Sequence, residues 1–286
     1  MTKTVHTLGK TLGPFKLVSL LGAGLGGEVR AALDARHSPV ALKVFKSGTP
    51  LQAARAEFEA NRLLDHPNIL KSKSFQVFDN LCVIVLPYCE GRSVDNVAGY
   101  FTEETAWKLI FDIGSALACL HGKGLCHGDV KPSNILRSGN DFLLADFGSC
   151  FSAHSQAVPG DLSSYQFSTP DKERNEKSDI WSLGATVFHL VMGSHVFNGL
   201  GGKAQGRDSV LPYMRKTMPG LSELVLRCLS FHPDQRPDAL ELVRVAEKNL
   251  KLIKERVSVR PAKQPVNASS KDAFESFWPE EMKDAL

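Results

Sequence analysis

The residue pattern of this chain changes character at Pro87, and that change limits the folds open to it. Ahead of it, short apolar runs between turn residues read as strands: Phe15–Leu21, then Glu28–Leu33 and Val40–Phe45 around the turn Asp34–Pro39. Phe75–Phe78 and Leu81–Leu86 follow as a hairpin across Asp79-Asn80. A single helical period interrupts them, Leu51 to Asp65, with Pro67 closing it. Beyond Pro87 helical spacing dominates. Glu103–His121 is opened by Thr102 as a capping residue with acids in the first turn, and Ser178–Met192, Leu221–Phe231 and Ala239–Ile253 follow. The expectation is a small sheet-rich lobe with one helix, then a larger helical one. At 286 residues the chain has room for two such lobes sharing a cleft.

Composition narrows the function classes. A net charge of +3 is too small to make nucleic acid the main partner, and much of the excess is local, in Lys248, Lys251, Lys254, Arg256, Arg260 and Lys263. The cysteines at 82, 89, 119, 126, 150 and 228 lie far apart without a C-x-x-C pair, which fits buried thiols in a reducing, cytoplasmic compartment. Residues 1–14 lack an apolar core and no apolar run is long enough to span a bilayer, so neither secretion nor membrane insertion is expected. On that ground Asn267-Ala-Ser269 is a chance match to a glycosylation acceptor. Gly199–Gly206 reads as a flexible connection, and from about Val257 the chain turns polar. That tail carries three clustered aromatics, Phe274, Phe277 and Trp278, a candidate docking segment for the chain's own lobes or a partner.

Two stretches carry chemistry. Gly22-Ala-Gly24-Leu-Gly-Gly27-Glu-Val29 allows backbone N–H groups close to phosphate oxygens. A dinucleotide-binding fold would require a helix directly after these glycines, whereas a strand, a turn and another strand follow. The second stretch is His127-Gly128-Asp129-Val130-Lys131-Pro132-Ser133-Asn134, with Asp146-Phe147-Gly148 shortly after. It combines a carboxylate to orient a hydroxyl, an ammonium for phosphoryl charge, and amide and carboxylate oxygens suited to Mg²⁺. Lys43 lies in the strand Val40–Phe45, and on the following helix Glu57 and Glu59 both compete to pair with it.

These stretches resemble the eukaryotic-type protein kinases, whose catalytic loop usually reads H-R-D-x-K-x-x-N and whose glycine-rich loop reads G-x-G-x-x-G-x-V. The resemblance covers roughly residues 15 to 255 and includes two motifs outside the active centre. Ser178-Asp179-Ile-Trp181-Ser-Leu-Gly184 is similar to the long buried helix whose Asp anchors the catalytic loop, and His232-Pro233-Asp-Gln-Arg236-Pro237 to the motif whose Arg pairs with the acid ending the activation segment. That acid would be Asp171, in Thr169-Pro170-Asp171. The resemblance implies an α+β, bilobal protein-kinase-like fold, with a small antiparallel-sheet lobe over 15–86, a hinge over 87–90 and a mainly helical lobe over 91–255. An extension of 1–14 would precede it and a tail of 256–286 would follow.

It also implies roles. ATP would lie against Leu21, Gly22, Ala23, Gly24, Gly27, Val29, Ala41 and Lys43, and against the gatekeeper Leu86 with the hinge residues Tyr88 and Cys89. The loop His66-Pro-Asn-Ile69 selects Glu57, nine residues earlier, as the partner of Lys43. Asp129 would be the base, Lys131 would stabilise the transferred group, and Asn134 and Asp146 would hold Mg²⁺, while His127 would brace the loop. The activity implied is transfer of phosphate from Mg-ATP to Ser/Thr hydroxyls of a protein. Lys131 and Ser164 favour Ser/Thr substrates, and Ser133 does not indicate a preference for basic ones. A pseudokinase scaffold and a small-molecule phosphotransferase are the alternatives. Gly128 stands where regulated members carry Arg, so a phosphate on Ser163, Ser164, Ser168 or Thr169 would lack its usual cation unless Lys172 or Arg174 replaced it.

Overall fold

The computed structural model describes residues 9–24, 26–153, 165–170, 175–199 and 212–259. Ser163, Ser164, Asp171, Lys172 and Arg174, most of the glycine-rich connection after Gly199, and the aromatic cluster of the tail lie outside them. The chain divides into two compact units, Met1–Leu250 and Lys251–Leu286.

The first part is an antiparallel six-stranded sheet. Its strands are β1 (Thr11–Leu12), β2 (Phe15–Ala23), β3 (Gly27–Leu33), β4 (Pro39–Phe45), β5 (Ser74–Phe78) and β6 (Leu81–Pro87), ordered β1-β2-β3-β4-β6-β5. The β5–β6 turn is made by Asp79 and Asn80 with φ of 48° and 64°, the left-handed pair that a tight hairpin requires. Alternation along β4 separates the two faces. Val40, Leu42 and Val44 join Leu12, Phe15, Ala32, Val83 and Val85 in one apolar cluster. Phe45 on the opposite face joins Ala54, Cys82 and Ile84 beneath helix α1 (Leu51–Arg62). Cross-strand register puts Val29, Lys43 and Ile84 in one row and Ala31, Ala41 and Leu86 in the next, so the face carrying Lys43 is otherwise apolar.

After Pro87 the chain is mainly helical. α2 (Glu103–His121) is capped by the Thr102 side chain, which accepts from Thr105 N at 3.2 Å. α3 (Glu176–Met192) begins two residues earlier than its apolar run because Asn175 and Ser178 form a reciprocal capping box. α4 (Pro212–Thr217) and α5 (Pro219–Cys228) precede α6 (Ala239–Val259), which runs through the expected domain boundary at 255/256. Trp107, Leu109, Ile113 and Leu117 of α2 and Ile180, Trp181 and Phe188 of α3 are fully buried and form the core. Two small antiparallel two-stranded sheets stand on this core: β7 (Leu125–Cys126) with β10 (Phe151–Ser152), and the hairpin of β8 (Ile135–Ser138) with β9 (Asp141–Leu144). The architecture is α+β and bilobal, a small antiparallel sheet with one helix and a larger helical lobe.

Candidate active site

The elements converge on one face of the small sheet. Lys43, from the middle of β4, donates to Glu57 Oε1 at 2.6 Å and to Asp146 Oδ1 at 2.7 Å. Glu59 turns away and pairs with Arg62 at 2.9 Å on the exposed side of α1, which decides between the two acids. Burial alone would lower the Lys43 ammonium, but the two carboxylates outweigh it and hold it above the usual lysine value. One cation cannot satisfy two carboxylates equally. Burial pushes Glu57 up against the pull of Lys43, with Asp146 adding to the rise, whereas Lys43 overcomes burial at Asp146 and holds it low.

The glycine-rich hairpin closes with Gly24 N donating to Gly27 O at 2.8 Å. Gly27 has φ 154° and a Cβ there would fall 2.1 Å from Val44 O, so the sheet itself demands it. At Gly22 and Gly24 a Cβ would meet nothing within 4 Å. The chain's own packing therefore does not demand these two glycines. Gly22 and Ala23, at the exposed end of β2, pair with Val29 and Glu28. Leu21 is half-buried beside them, and Tyr88 and Cys89 are half-buried at the far end of β6.

The loop between β7 and β8 is held from below by Asp179 at the start of α3. Its Oδ2 accepts from His127 N at 2.8 Å and its Oδ1 from Gly128 N at 2.8 Å, while His121 Nε2 lies 2.9 Å from Oδ2. Although fully buried, Asp179 titrates low, because the His121 bond and these charged and N–H neighbours outweigh the desolvation that raises it. His127 is buried and committed at both nitrogens. Nδ1 accepts from Asp129 N at 3.3 Å, which leaves the proton on Nε2 for Ala145 O at 3.1 Å. Its ring meets the edge of Phe147 at 5.2 Å, so it braces the loop against the Asp146 turn.

Lys131 Nζ lies 2.7 Å from Asp129 Oδ2, and Asn134 Nδ2 donates to that oxygen at 3.0 Å and to Asp129 O at 2.8 Å. The Asn134 NH₂ is thereby spent on Asp129, and the amide oxygen is what it offers elsewhere. Asp146 takes a left-handed φ of 66° and receives both Lys43 and Gly148 N on Oδ1, so Oδ2 is the atom it presents. Two hard oxygens, one amide and one carboxylate, fit a Mg²⁺ ion that keeps other positions for phosphate and water. The β8–β9 hairpin is a further element that the apolar pattern alone does not reveal. Its signal was Ser138-Gly139-Asn140-Asp141, with Gly139 at φ 58°, and it sets the spacing of Asn134 from Asp146.

Arg236 is 2% exposed, donates to Ser230 O at 2.8 Å and Lys177 O at 3.0 Å, and lies over the Trp181 ring at 4.9 Å. Asp171, its expected acid, lies outside the described residues.

Lys43 and Glu57 of the sheet lobe meet Asp146 of the helical lobe beside an Asp–Lys–Asn loop anchored on a buried helix, and this arrangement defines the class of the fold. The chain belongs to the protein kinase family: its residues 15–246 match the model of the protein kinase domain. It is 28% identical over 251 residues to an Aurora kinase of Schizosaccharomyces pombe, covering 82% of this chain and 71% of that protein. It is 30% identical over 219 residues to the serine/threonine-protein kinase ppk34 of the same yeast, covering 68% of this chain and 60% of that one. Cytokinesis protein sepH of Aspergillus terreus is 28% identical over 247 residues, where the match spans 82% of this chain but 18% of that protein. Among the described residues no helix is long and apolar enough to cross a membrane.

Proposed function

We propose that this chain is an active Ser/Thr protein kinase that transfers the γ-phosphoryl group of Mg-ATP to a protein hydroxyl. The observation that carries the reading is Lys43 held at 2.6 Å from Glu57 and 2.7 Å from Asp146 together, because that arrangement aims one ammonium at the nucleotide phosphates. Leu21, Val29, Ala41 and Leu86 supply the apolar walls for the adenine, and the backbone of Tyr88 and Cys89 its polar edge. Gly22, Ala23, Gly24 and Gly27 cover the phosphates. Asn134 and Asp146 would hold Mg²⁺ through their oxygens, and the ion would supply positive charge to the phosphates. Asp129, oriented by Lys131 and Asn134, takes the proton of the incoming hydroxyl as its oxygen bonds to phosphorus and the bond to ADP breaks. Lys131 stays beside the transferred group. The kinase unit is read as 15–255, with the tail of 256–286 as a segment that docks on the kinase lobes or on a partner. Six free cysteines support work in a reducing, cytoplasmic setting.

The test is ATP-dependent labelling of generic protein substrates, run beside aminoglycoside and choline-type alcohols. Ser and Thr labelling that Asp129→Asn abolishes is the expected outcome. Labelling of the small alcohols alone would make the chain a small-molecule phosphotransferase, and nucleotide binding without any transfer would make it a pseudokinase scaffold.

A further inference from the structure

Helix α3 holds more than the loop that bears Asp129. Ser182 follows Asp179 by three residues on the same side of the helix, and its Oγ donates to Phe167 O at 3.0 Å. One turn of α3 thus fixes the 165–167 turn relative to the Asp129 loop. Phe167 is 7% exposed, and its ring stands at 78° to that of His189 and 75° to that of His195, with centroids 5.9 and 5.4 Å away. The two imidazoles stack face to face at 4.2 Å. Phe167 therefore rests on a platform of two rings, one from the last turn of α3 and one from the loop after it.

That loop is strained. Phe197, two residues after His195, takes a left-handed φ of 52°, which a bulky residue adopts only where its surroundings impose it. Its ring stacks on Trp181 at 5.9 Å and 21°. Residues 195 and 197 are committed to two stacks on one helix, which leaves the His195 ring little room to shift. Its charge then decides whether the platform stands. Nδ1 of each imidazole is buried, and among the described residues neither has a hydrogen-bond partner. An imidazolium carries a proton on both nitrogens, so a charged His195 would place an unpartnered donor in the interior, face to face with a second imidazole. Burial and then the His189 charge hold His195 below the usual imidazole value, while Asp95, from the turn Val94–Val97, pulls it up. Phe167 and Phe197, the other rings around the pair, bring no charge. His195 is therefore neutral at pH 7.5 and takes up its proton below the range of a free imidazole, about pH 6.5.

We propose that His189 and His195 are positioning residues for the protein substrate, holding the 165–167 turn beside the Asp129 loop while His195 is neutral and releasing it on protonation. The proposal rests on the kinase reading above. Its test is the KM split between ATP and the protein labelled in the assay above, from pH 7.5 to 5.5, in wild type, His195→Phe and His195→Ala. In wild type kcat/KM for the protein falls up to about tenfold for each pH unit below the His195 midpoint, as one proton requires, while KM for ATP follows the same course in all three chains. His195→Phe keeps a ring on the platform without a proton site, so its fall is smaller. Parallel falls in wild type and His195→Phe overturn the proposal. His195→Ala raises KM for the protein already at pH 7.5; an equal rise in KM for ATP assigns the residue a general structural role and overturns it too. Where the Ala variant folds poorly, the comparison with His195→Phe decides alone. Hydrogen exchange, corrected for its intrinsic pH dependence, is an arm independent of turnover. Amides 165–169 lose protection at pH 5.5 in wild type and keep it in His195→Phe; unchanged protection in wild type overturns the proposal. Should the wild type transfer no phosphate, the kinase reading fails, and the exchange arm still decides whether His195 holds the turn.

Discussion

Gly128 shows how a single residue exchanges one property for another. It lies between His127 and Asp129 with φ 79°, and its N–H is fixed on Asp179 Oδ1 at 2.8 Å. A side chain there forces an L-residue into left-handed backbone, at a cost of about 1–2 kcal/mol. Glycine removes that strain from the loop bearing Asp129, and with it the cation to which a phosphorylated activation segment would dock. Gly128→Ala and Gly128→Arg are therefore both expected to lower thermal stability, by roughly 2–8 °C for a chain of this size. An Arg variant as stable as wild type would show that the backbone conformation costs nothing. The missing Arg was legible in the sequence; the conformational reason for glycine was not, because φ is set by Asp179, fifty-one residues away.

At the scale of elements, α3 is joined to the 165–167 turn through a pair of histidines. The rings of His189 and His195 stack at 4.2 Å and 3°, and Phe167 meets both edge-on at 5.9 and 5.4 Å. Among the described residues neither Nδ1 has a hydrogen-bond partner. Burial and then the His189 charge depress His195, against the pull of Asp95. Since its folded-state value lies below that of a free imidazole, the unfolded chain binds the proton first as pH falls, and stability declines from about pH 6.5 downward. His66, depressed by burial, contributes in the same direction. His195→Phe retains a stacking ring without a titrating nitrogen, so its melting temperature should fall less than that of wild type between pH 7.5 and 5.5. Equal falls would place the proton uptake elsewhere. The helices themselves were readable where capping and period agree, as in Glu103–His121, whose bounds match the structure. They were misjudged at α5 and α6, where Pro219 opens one helix and a run of helix-forming charged residues extends the other to Val259.

For the whole molecule, the decisive contacts join residues that the sequence keeps far apart. Lys43 and Asp146 are 103 residues distant along the chain and come from different lobes. Motif order named both residues, but only the fold shows that a single ammonium spans the cleft between them while Asn134 and Asp146 each leave one oxygen for a cation. That division of labour separates two carboxylates with the same chemistry. In the proposed reaction Asp146 would serve metal and nucleotide, whereas Asp129, bonded to Lys131 and Asn134, would serve the hydroxyl. A ligand at a hundred times its Kd stabilises a fold by about 2.7 kcal/mol, which here raises the melting temperature by roughly 5–10 °C. Mg-ATP is expected to give such a rise in wild type and in Asp129→Asn, although the latter transfers no phosphate. Asp146→Asn should lose the Mg²⁺-dependent part of the rise along with activity. Thermal melts with ATP in the presence and absence of Mg²⁺ make the comparison. A full Mg²⁺-dependent shift in Asp146→Asn would move the metal to other ligands, and a lost shift in Asp129→Asn would return that residue to nucleotide binding rather than proton transfer.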